Sequence, residues 1–160
     1  MRIRQATIED ATTITEFNAL IALETEALIL DRTVLSRGVA AILRNPSKGK
    51  YFLAEIDGHV AGQTMITYEW SDWRNGYFWW IQSVYVKQEF RRQGIFGALY
   101  RYVRDLADSS ANVCGLRLYV ETSNDRAKRV YEHFGMHKSN YEMYEAVFPK
   151  GAETGHEDAP

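Results

Sequence analysis

The chain has 160 residues, a usual length for one domain with a substantial core. Hydrophobic residues make up 46% and the formal net charge is -2, which indicates a globular protein and excludes binding of nucleic acid through bulk charge. A single cysteine, Cys114, excludes an internal disulfide, and neither a secretory leader nor a membrane-spanning segment is evident. We therefore expect a cytoplasmic protein that binds no nucleic acid and no membrane.

The first third of the sequence predicts one strand and two helices. Ile3 to Ala6 is typical of a short strand, and Thr7 with Asp10 has the spacing of a capping box. Asp31 or Thr33 is positioned to cap a second helix. The turn residues after Arg44 predict the end of this helix. The apolar stripe of the first helix consists of Ile14, Phe17, Leu20, Ile21 and Leu28.

The middle of the sequence predicts three consecutive strands. Tyr51 to Ile56 and Val60 to Glu69 are separated by Asp57-Gly58, which is a strong hairpin signal. A loop from Trp70 to Gly76 follows, and Tyr77 to Val86 then predicts a long, largely buried strand.

The last third alternates helices and strands. We predict a helix at Ile95–Ala107, a strand at Cys114–Glu121, a helix at Asn124–Phe134 ending at Gly135, and a last strand at Tyr141–Val147. The order β-α-α-β-β-β-α-β-α-β indicates an α/β (α+β) fold, with a mixed, mostly antiparallel central sheet flanked by helices.

The length of this ordered pattern sets the expected domain limits. Residues 1–148 are expected to form one domain. Residues 149–160 are polar and rich in small side chains, and they are expected to form a disordered tail.

A basic, glycine-containing turn separates the long central strand from the helix at Ile95. A helix N-terminus presents free N–H groups and a positive dipole end to an anion, and glycine lets that anion approach the backbone. The P-loop pattern is excluded because Tyr51 follows Gly49-Lys50, and Gly94 to Gly97 do not supply the dinucleotide fingerprint G-x-G-x-x-G. The turn therefore predicts a site for another cofactor that contains pyrophosphate.

Arg91 to Phe96 resembles the [Q/R]-x-x-G-x-[G/A] turn of the GNAT superfamily of N-acetyltransferases, with Phe96 in place of the small residue. Asn124 to Ala127 resembles the N-x-x-A segment of that family, and Tyr131 to Met136 resembles its Y-x-x-x-G-[F/M] segment. Upstream, Ser83 to Val86 is similar to the strand ending that pairs with the pantetheine arm. Because several weak signals agree, the chain is identified as a small, single-domain, bacterial-type member of the GNAT superfamily over residues 1–148.

The resemblance implies that acetyl-CoA is the co-substrate and that no metal is needed. The turn amides would hold the pyrophosphate, and the strand backbone would pair with the pantetheine amides. Asn124 would cap its helix and also contact the cofactor arm. The expected cofactor-binding residues are Val84, Tyr85, Val86, Arg91, Arg92, Gln93, Gly94, Ile95, Phe96, Gly97 and Asn124.

Two residues are predicted to act in catalysis. Transfer of the acetyl group to an amine expels the thiolate of CoA, which needs a proton. A thiol has a pKa of about 8.5 and a phenol of about 10, so a positioned tyrosine can supply that proton. The resemblance implies that Tyr131 is this general acid. An alkyl amine is mostly protonated at neutral pH and must lose a proton. The central strand from Trp79 to Ser83 has no carboxylate, so Glu69 on the preceding strand is the best candidate to accept it.

The acceptor is predicted to be a small amine, because aromatic side chains beside a carboxylate bind cations well. A homodimer contact is an alternative explanation of the clustered tryptophans. Also open are a non-catalytic acyl-CoA-binding or sensor module, and an acetyltransferase acting on a protein N-terminus or lysine. The expected substrate-binding residues are Glu24, Trp70, Asp72, Trp80 and Gln82.

Overall fold

The computed structural model describes residues 1–148, so the predicted tail at 149–160 lies outside the described residues. The chain divides into two compact units, residues 1–123 and the residues from 124 onward. The single domain expected for 1–148 stays a prediction. In chain order the elements are β1 (Arg2–Gln5), α1 (Ala11–Glu26), α2 (Arg32–Arg44), β2 (Lys50–Ile56), β3 (His59–Ser71), β4 (Gly76–Val86), α3 (Ile95–Asp108), β5 (Val113–Arg117) and α4 (Asp125–His133).

The five strands form one open sheet in the order β1-β2-β3-β4-β5. The first three ladders are antiparallel and β4 pairs with β5 in parallel, so the predicted mixed, mostly antiparallel α/β fold is confirmed. The hairpin predicted at Asp57-Gly58 joins β2 to β3. The crossover from β4 to β5 runs through α3, as a parallel connection requires.

Helices cover both faces of this sheet in the unit formed by residues 1–123. Tyr51 and Leu53 of β2 belong to the same buried cluster as Ile14 of α1 and Val39 of α2. Phe52 points the opposite way, since strand side chains alternate, and its ring lies 5.5 Å from that of Tyr102 on α3. The sheet therefore has an α1/α2 face and an α3 face.

Local side-chain contacts form at the starts of two helical segments. The N–H of Thr7 donates to Oδ2 of Asp10 at 2.8 Å, which is the carboxylate half of the predicted capping box and lies at the short 3-10 helix Ile8–Asp10 that precedes α1. Asp31, rather than Thr33, caps α2, because its Oδ1 accepts from the N–H groups of Thr33 and Val34.

Four predictions about the elements are wrong. The loop predicted at Trp70–Gly76 is shorter, because β3 continues to Ser71 and β4 begins at Gly76. Tyr141–Val147 forms no strand within the described residues 1–148; this segment is exposed, so no neighbouring strand satisfies its backbone. β5 ends at Arg117 instead of Glu121, since its ladder with β4 ends there. Leu28 lies outside α1 because Ala27 adopts a left-handed conformation, with φ of 53°, that ends the helix.

Gly62 lets α3 approach the sheet closely. A Cβ at this position would lie 2.7 Å from the carbonyl oxygen of Tyr85 on β4 and 3.2 Å from Cγ2 of Ile95. Ile95 is the first residue of α3 and is buried. The missing side chain therefore sets how near the start of α3 lies to the end of β4.

We predict that Gly62→Ala lowers the free energy of unfolding by about 1–3 kcal/mol, because the added methyl group meets a backbone oxygen that cannot move alone. Gly38→Ala is the matched control, since a Cβ there meets nothing within 4 Å. Gly38 lies inside α2, so its replacement should raise stability by about 0.5–1 kcal/mol. Denaturant unfolding measures both, and equal effects would contradict the packing argument.

Candidate active site

The turn between β4 and α3 presents backbone N–H groups at a helix N-terminus. Gly94 occupies the N-cap position with φ of 77°, a conformation that favours glycine, and no side chain caps the helix. The N–H groups of the first helical turn have no acceptor within the helix itself. A Cβ on Gly94 would meet nothing within 4 Å, so the space above the turn is open. The arrangement fits an anion such as pyrophosphate.

Arg91 contacts other residues of the protein. Its Nε donates to the carbonyl oxygen of Val86 at 2.9 Å, and its Nη2 donates to Oε2 of Glu24 at 2.6 Å. The hydroxyl of Tyr85 donates to the other oxygen of Glu24 at 3.3 Å. The structure thus brings Glu24, which is predicted to bind the acceptor, together with three residues that are predicted to bind the cofactor.

The remaining turn residues differ in exposure. Arg92 and Gln93 are exposed, and Nε2 of Gln93 donates to the carbonyl oxygen of Glu89 at 3.1 Å. Phe96 is half-buried, with its ring 6.2 Å from that of Tyr100. Gly97 is buried within α3. Arg92 is therefore the exposed cation that is available to an anion at this turn.

β4 contains a bulge at Ser83 and Val84. Gln63 of β3 pairs with Tyr85 and Met65 pairs with Gln82, so two residues of β4 lie opposite the single residue Thr64. Ser83 has φ of 48°, an uncommon conformation for a residue with a side chain. The bulge rotates the backbone groups near Val84 out of the regular ladder.

β4 also loses its partner on one edge. The last register pair between β4 and β5 is Trp80 with Arg117, whereas β4 continues to Val86. Within residues 1–148 no other strand pairs with that edge, so the bulge lies beside unpaired backbone. An extended ligand can bind such an edge through main-chain hydrogen bonds.

Glu69 accepts hydrogen bonds from two side chains. The indole N–H of Trp80 and Nη1 of Arg117, the latter at 2.7 Å, both donate to its carboxylate. These bonds hold the pKa of Glu69 below its ordinary value. The Arg117 guanidinium lies 3.7 Å from the centre of the Phe78 ring. Glu69 is thus an ionised carboxylate with a neighbouring cation.

The predicted acceptor residues divide between the two faces of the sheet. Trp80 and Gln82 alternate on the same face of β4, and Nε2 of Gln82 donates to Oγ1 of Thr67 at 2.8 Å. Trp70 pairs with Tyr77 and so lies on the other face, half exposed, with ring centres 4.9 Å apart. Asp72 is exposed in the turn after β3 and accepts from the N–H of Trp73.

The unit that begins at residue 124 holds two more predicted residues. Oδ1 of Asn124 accepts from the N–H of Ala127 at 3.0 Å, which confirms Asn124 as the N-cap of α4. Tyr131 lies on α4, and burial raises the pKa of its phenol above the ordinary value. Its proton is therefore retained at neutral pH.

The sequence reasoning missed a buried polar cluster beside the bulge, formed by Asn18, Tyr51 and Gln63. Gln63 is fully buried, and its Nε2 donates to the carbonyl oxygen of Ser83 at 3.2 Å. A glutamine at an inward-facing position of a strand was the available signal, because buried polar side chains need partners.

Two further findings concern the described residues 1–148. No helix there is long and apolar enough to cross a membrane. No group of three or more His, Cys, Asp or Glu side chains in this part of the chain is arranged to hold a metal ion.

Comparison with known proteins identifies the family. The sequence profile of the acetyltransferase (GNAT) family matches residues 16–136, so the chain belongs to this family.

Similar proteins include one curated sequence and several solved structures. The crystal structure of a possible acetyltransferase from Clostridium difficile 630 is 48% identical, with a TM-score of 0.88 over 93% of this chain and 98% of that one. An uncharacterized N-acetyltransferase of Methanocaldococcus jannaschii is 36% identical over 85 residues, which is 53% of this chain. The chain spans about half the length of that curated relative, 51%. A predicted acetyltransferase from Clostridium acetobutylicum, solved with acetyl-CoA, shares the fold at 18% identity, with a TM-score of 0.74 over 91% and 95% of the two chains.

We predict that Trp80→Phe raises the pKa of Glu69 toward the ordinary glutamate value of about 4.3, because the variant removes the indole donor. Trp79→Phe is the matched control, since Trp79 lies on the other face of β4. Carbon-detected NMR titration of the Glu69 carboxyl group measures both. An unchanged pKa in Trp80→Phe would show that the indole does not stabilise the carboxylate.

Proposed function

We propose that this chain transfers the acetyl group of acetyl-CoA to a primary amine of a small molecule in the cytoplasm. The carrying observation is the turn at Gly94, where an uncapped helix N-terminus and open space come eight residues after the end of a strand with an unpaired edge. A pyrophosphate and a pantetheine arm need such an anion site and such an edge next to each other. Acetyl-CoA in the structure of the C. acetobutylicum protein, which has the same fold, supports this choice.

The proposed cofactor contacts follow from the contacts within the protein. The backbone N–H groups of Ile95, Phe96 and Gly97 would bind the pyrophosphate, and Arg92 would add charge. Arg91 would act indirectly, because its guanidinium already binds Glu24 and the carbonyl of Val86. The pantetheine amides would pair with backbone at Val84 to Val86, and no metal takes part in the proposal.

The acceptor amine is proposed to attack the thioester carbonyl directly. Backbone N–H groups near Val84 would stabilise the negative charge that develops on the carbonyl oxygen. The carbon–sulfur bond then breaks, and Tyr131 gives its phenolic proton to the leaving thiolate. The ammonium group of the acceptor first gives one proton to a base, and the second proton that its nitrogen loses on forming the amide restores the Tyr131 phenol.

Glu69 remains the proposed base and cation-binding residue. Its low pKa keeps it ionised at neutral pH, so it attracts an ammonium group, while the same low pKa makes it a weak proton acceptor. Trp80 and Gln82 share its face of the sheet and would contact the acceptor. Trp70 faces the other way, so contact with the same acceptor molecule is not part of this proposal.

Two alternatives are decided by experiment. A non-catalytic acyl-CoA-binding module would bind acetyl-CoA and acetylate no amine. An enzyme for a protein N-terminus or lysine would acetylate peptides in preference to small amines.

We predict that Gly94→Glu weakens acetyl-CoA binding more than about tenfold, because a carboxylate would repel the pyrophosphate at the helix N-terminus. Gly58→Glu is the matched control: Gly58 has φ of 80°, and a Cβ there also meets nothing within 4 Å. It therefore introduces the same charge and backbone strain in the β2–β3 turn. Calorimetric titration measures both variants and the wild type.

Loss of binding in Gly94→Glu alone supports the turn as the cofactor site. An equal loss of affinity in both variants would mean that the added strain or charge weakens binding wherever it is introduced. Absence of binding to the wild type would overturn acetyl-CoA as the co-substrate.

We predict that Tyr131→Phe lowers kcat about 100-fold or more with little change in the KM of either substrate, as expected for loss of a general acid. Steady-state kinetics at saturating acetyl-CoA measures the effect. Tyr141→Phe, an exposed tyrosine in the same part of the chain, is the control. Near-normal turnover of Tyr131→Phe would remove the general-acid assignment.

A further inference from the structure

Gln63 makes two hydrogen bonds from one buried amide group. Its Nε2 donates to the backbone carbonyl of Ser83 at 3.2 Å and to Oδ1 of Asn18 at 2.8 Å. Gln63 is 0% exposed, and Ser83 is the bulge residue with positive φ. A side chain of β3 thus bonds to β4 where the regular ladder between the two strands is interrupted.

The orientation of this amide is fixed by its partners. A backbone carbonyl only accepts, so the NH₂ group of Gln63 must face Ser83. Oε1 then points elsewhere; it is buried and has no hydrogen-bond partner among the described residues. A buried acceptor without a partner destabilises the fold, so an apolar side chain of similar size would be expected here if stability alone mattered.

Other elements hold Gln63 in place. Asn18 of α1 accepts from Gln63, and its Nδ2 donates to the hydroxyl of Tyr51 on β2 at 2.9 Å. Tyr51 is itself buried. Side chains from β2, α1 and β3 therefore form a chain of hydrogen bonds, and Gln63 links this chain to one carbonyl of β4.

We propose that Gln63, fixed by Asn18 and Tyr51, is a positioning residue that holds the bulge at Ser83 and so aims the N–H groups near Val84 at the acetyl carbonyl. This rests on the proposed function, in which those groups stabilise the developing oxyanion. A small misplacement of the donors that face the developing oxyanion slows the reaction, while the pyrophosphate contacts at the Gly94 turn retain binding of the cofactor.

Gln63→Met tests the proposal, because methionine has a similar length and volume and removes both the donor and the partnerless oxygen. Thr64→Val is the matched control. Thr64 is the next residue and equally buried, its Oγ1 donates to the carbonyl of Gln82 at 3.4 Å, and it faces the other side of the sheet.

We expect Gln63→Met to lower kcat roughly 10- to 100-fold, with the Kd for acetyl-CoA and the KM for the amine changed less than about threefold. Thr64→Val should keep kcat within about threefold of the wild type. A purely structural role predicts instead a lower Tm with normal kcat, or a parallel change in kcat in Gln63→Met and Thr64→Val. Either result would overturn the proposal.

A second measurement does not depend on turnover. Amide hydrogen exchange at Ser83, Val84 and Tyr85 should be faster in Gln63→Met than in the wild type or Thr64→Val, because the bulge loses its tether. Unchanged exchange at these amides would refute the positioning role even if no amine substrate is found. Absence of turnover in the wild type, with exchange altered as expected, would count against the proposed function and leave the tether supported.

Discussion

Backbone pairing along β4 determines where the candidate site lies. Every buried N–H and C=O group of a strand needs a partner, and β4 has β3 along one edge but β5 only as far as Trp80. The bulge at Ser83 interrupts even the β3 ladder just beyond this point. A short connection from residue 87 to residue 94 then links the unpaired segment to the start of α3, so the available edge and the helix N-terminus are close along the chain.

Ion pairs then decide which charges are available near this segment. The sequence offers Arg91 and Arg92 as equivalent neighbours, yet the carboxylate of Glu24 binds Arg91. Arg117 likewise lies beside Glu69, which the sequence presents as an isolated acid. Each partner lies far along the chain. The cationic and anionic groups left for ligands are therefore fewer than the composition implies.

The features predicted well from sequence are local, and those missed are not. The glycine, the basic residues and the helix start of the turn lie within seven residues, so their arrangement follows from backbone conformation and helix polarity alone. The bonds of Gln63 to Asn18 and of Glu69 to Arg117 depend on strand register and on which helix covers which face. The strand expected at Tyr141–Val147 failed for the same reason, because an alternating pattern does not supply a neighbouring ladder.

Phe96, the one departure from the phosphate-turn pattern, is compatible with an anion site because of where its side chain lies. A small residue is needed only where a Cβ would face the ligand. Phe96 is half-buried near Tyr100, and Gly94, whose absent side chain leaves open space, precedes the helix. The backbone N–H of Phe96 belongs to the first turn of α3, where N–H groups point toward the N-terminal end of the helix. The side chain of Phe96 and its backbone N–H therefore lie on different surfaces. Phenylalanine in place of a small residue does not by itself remove the anion site.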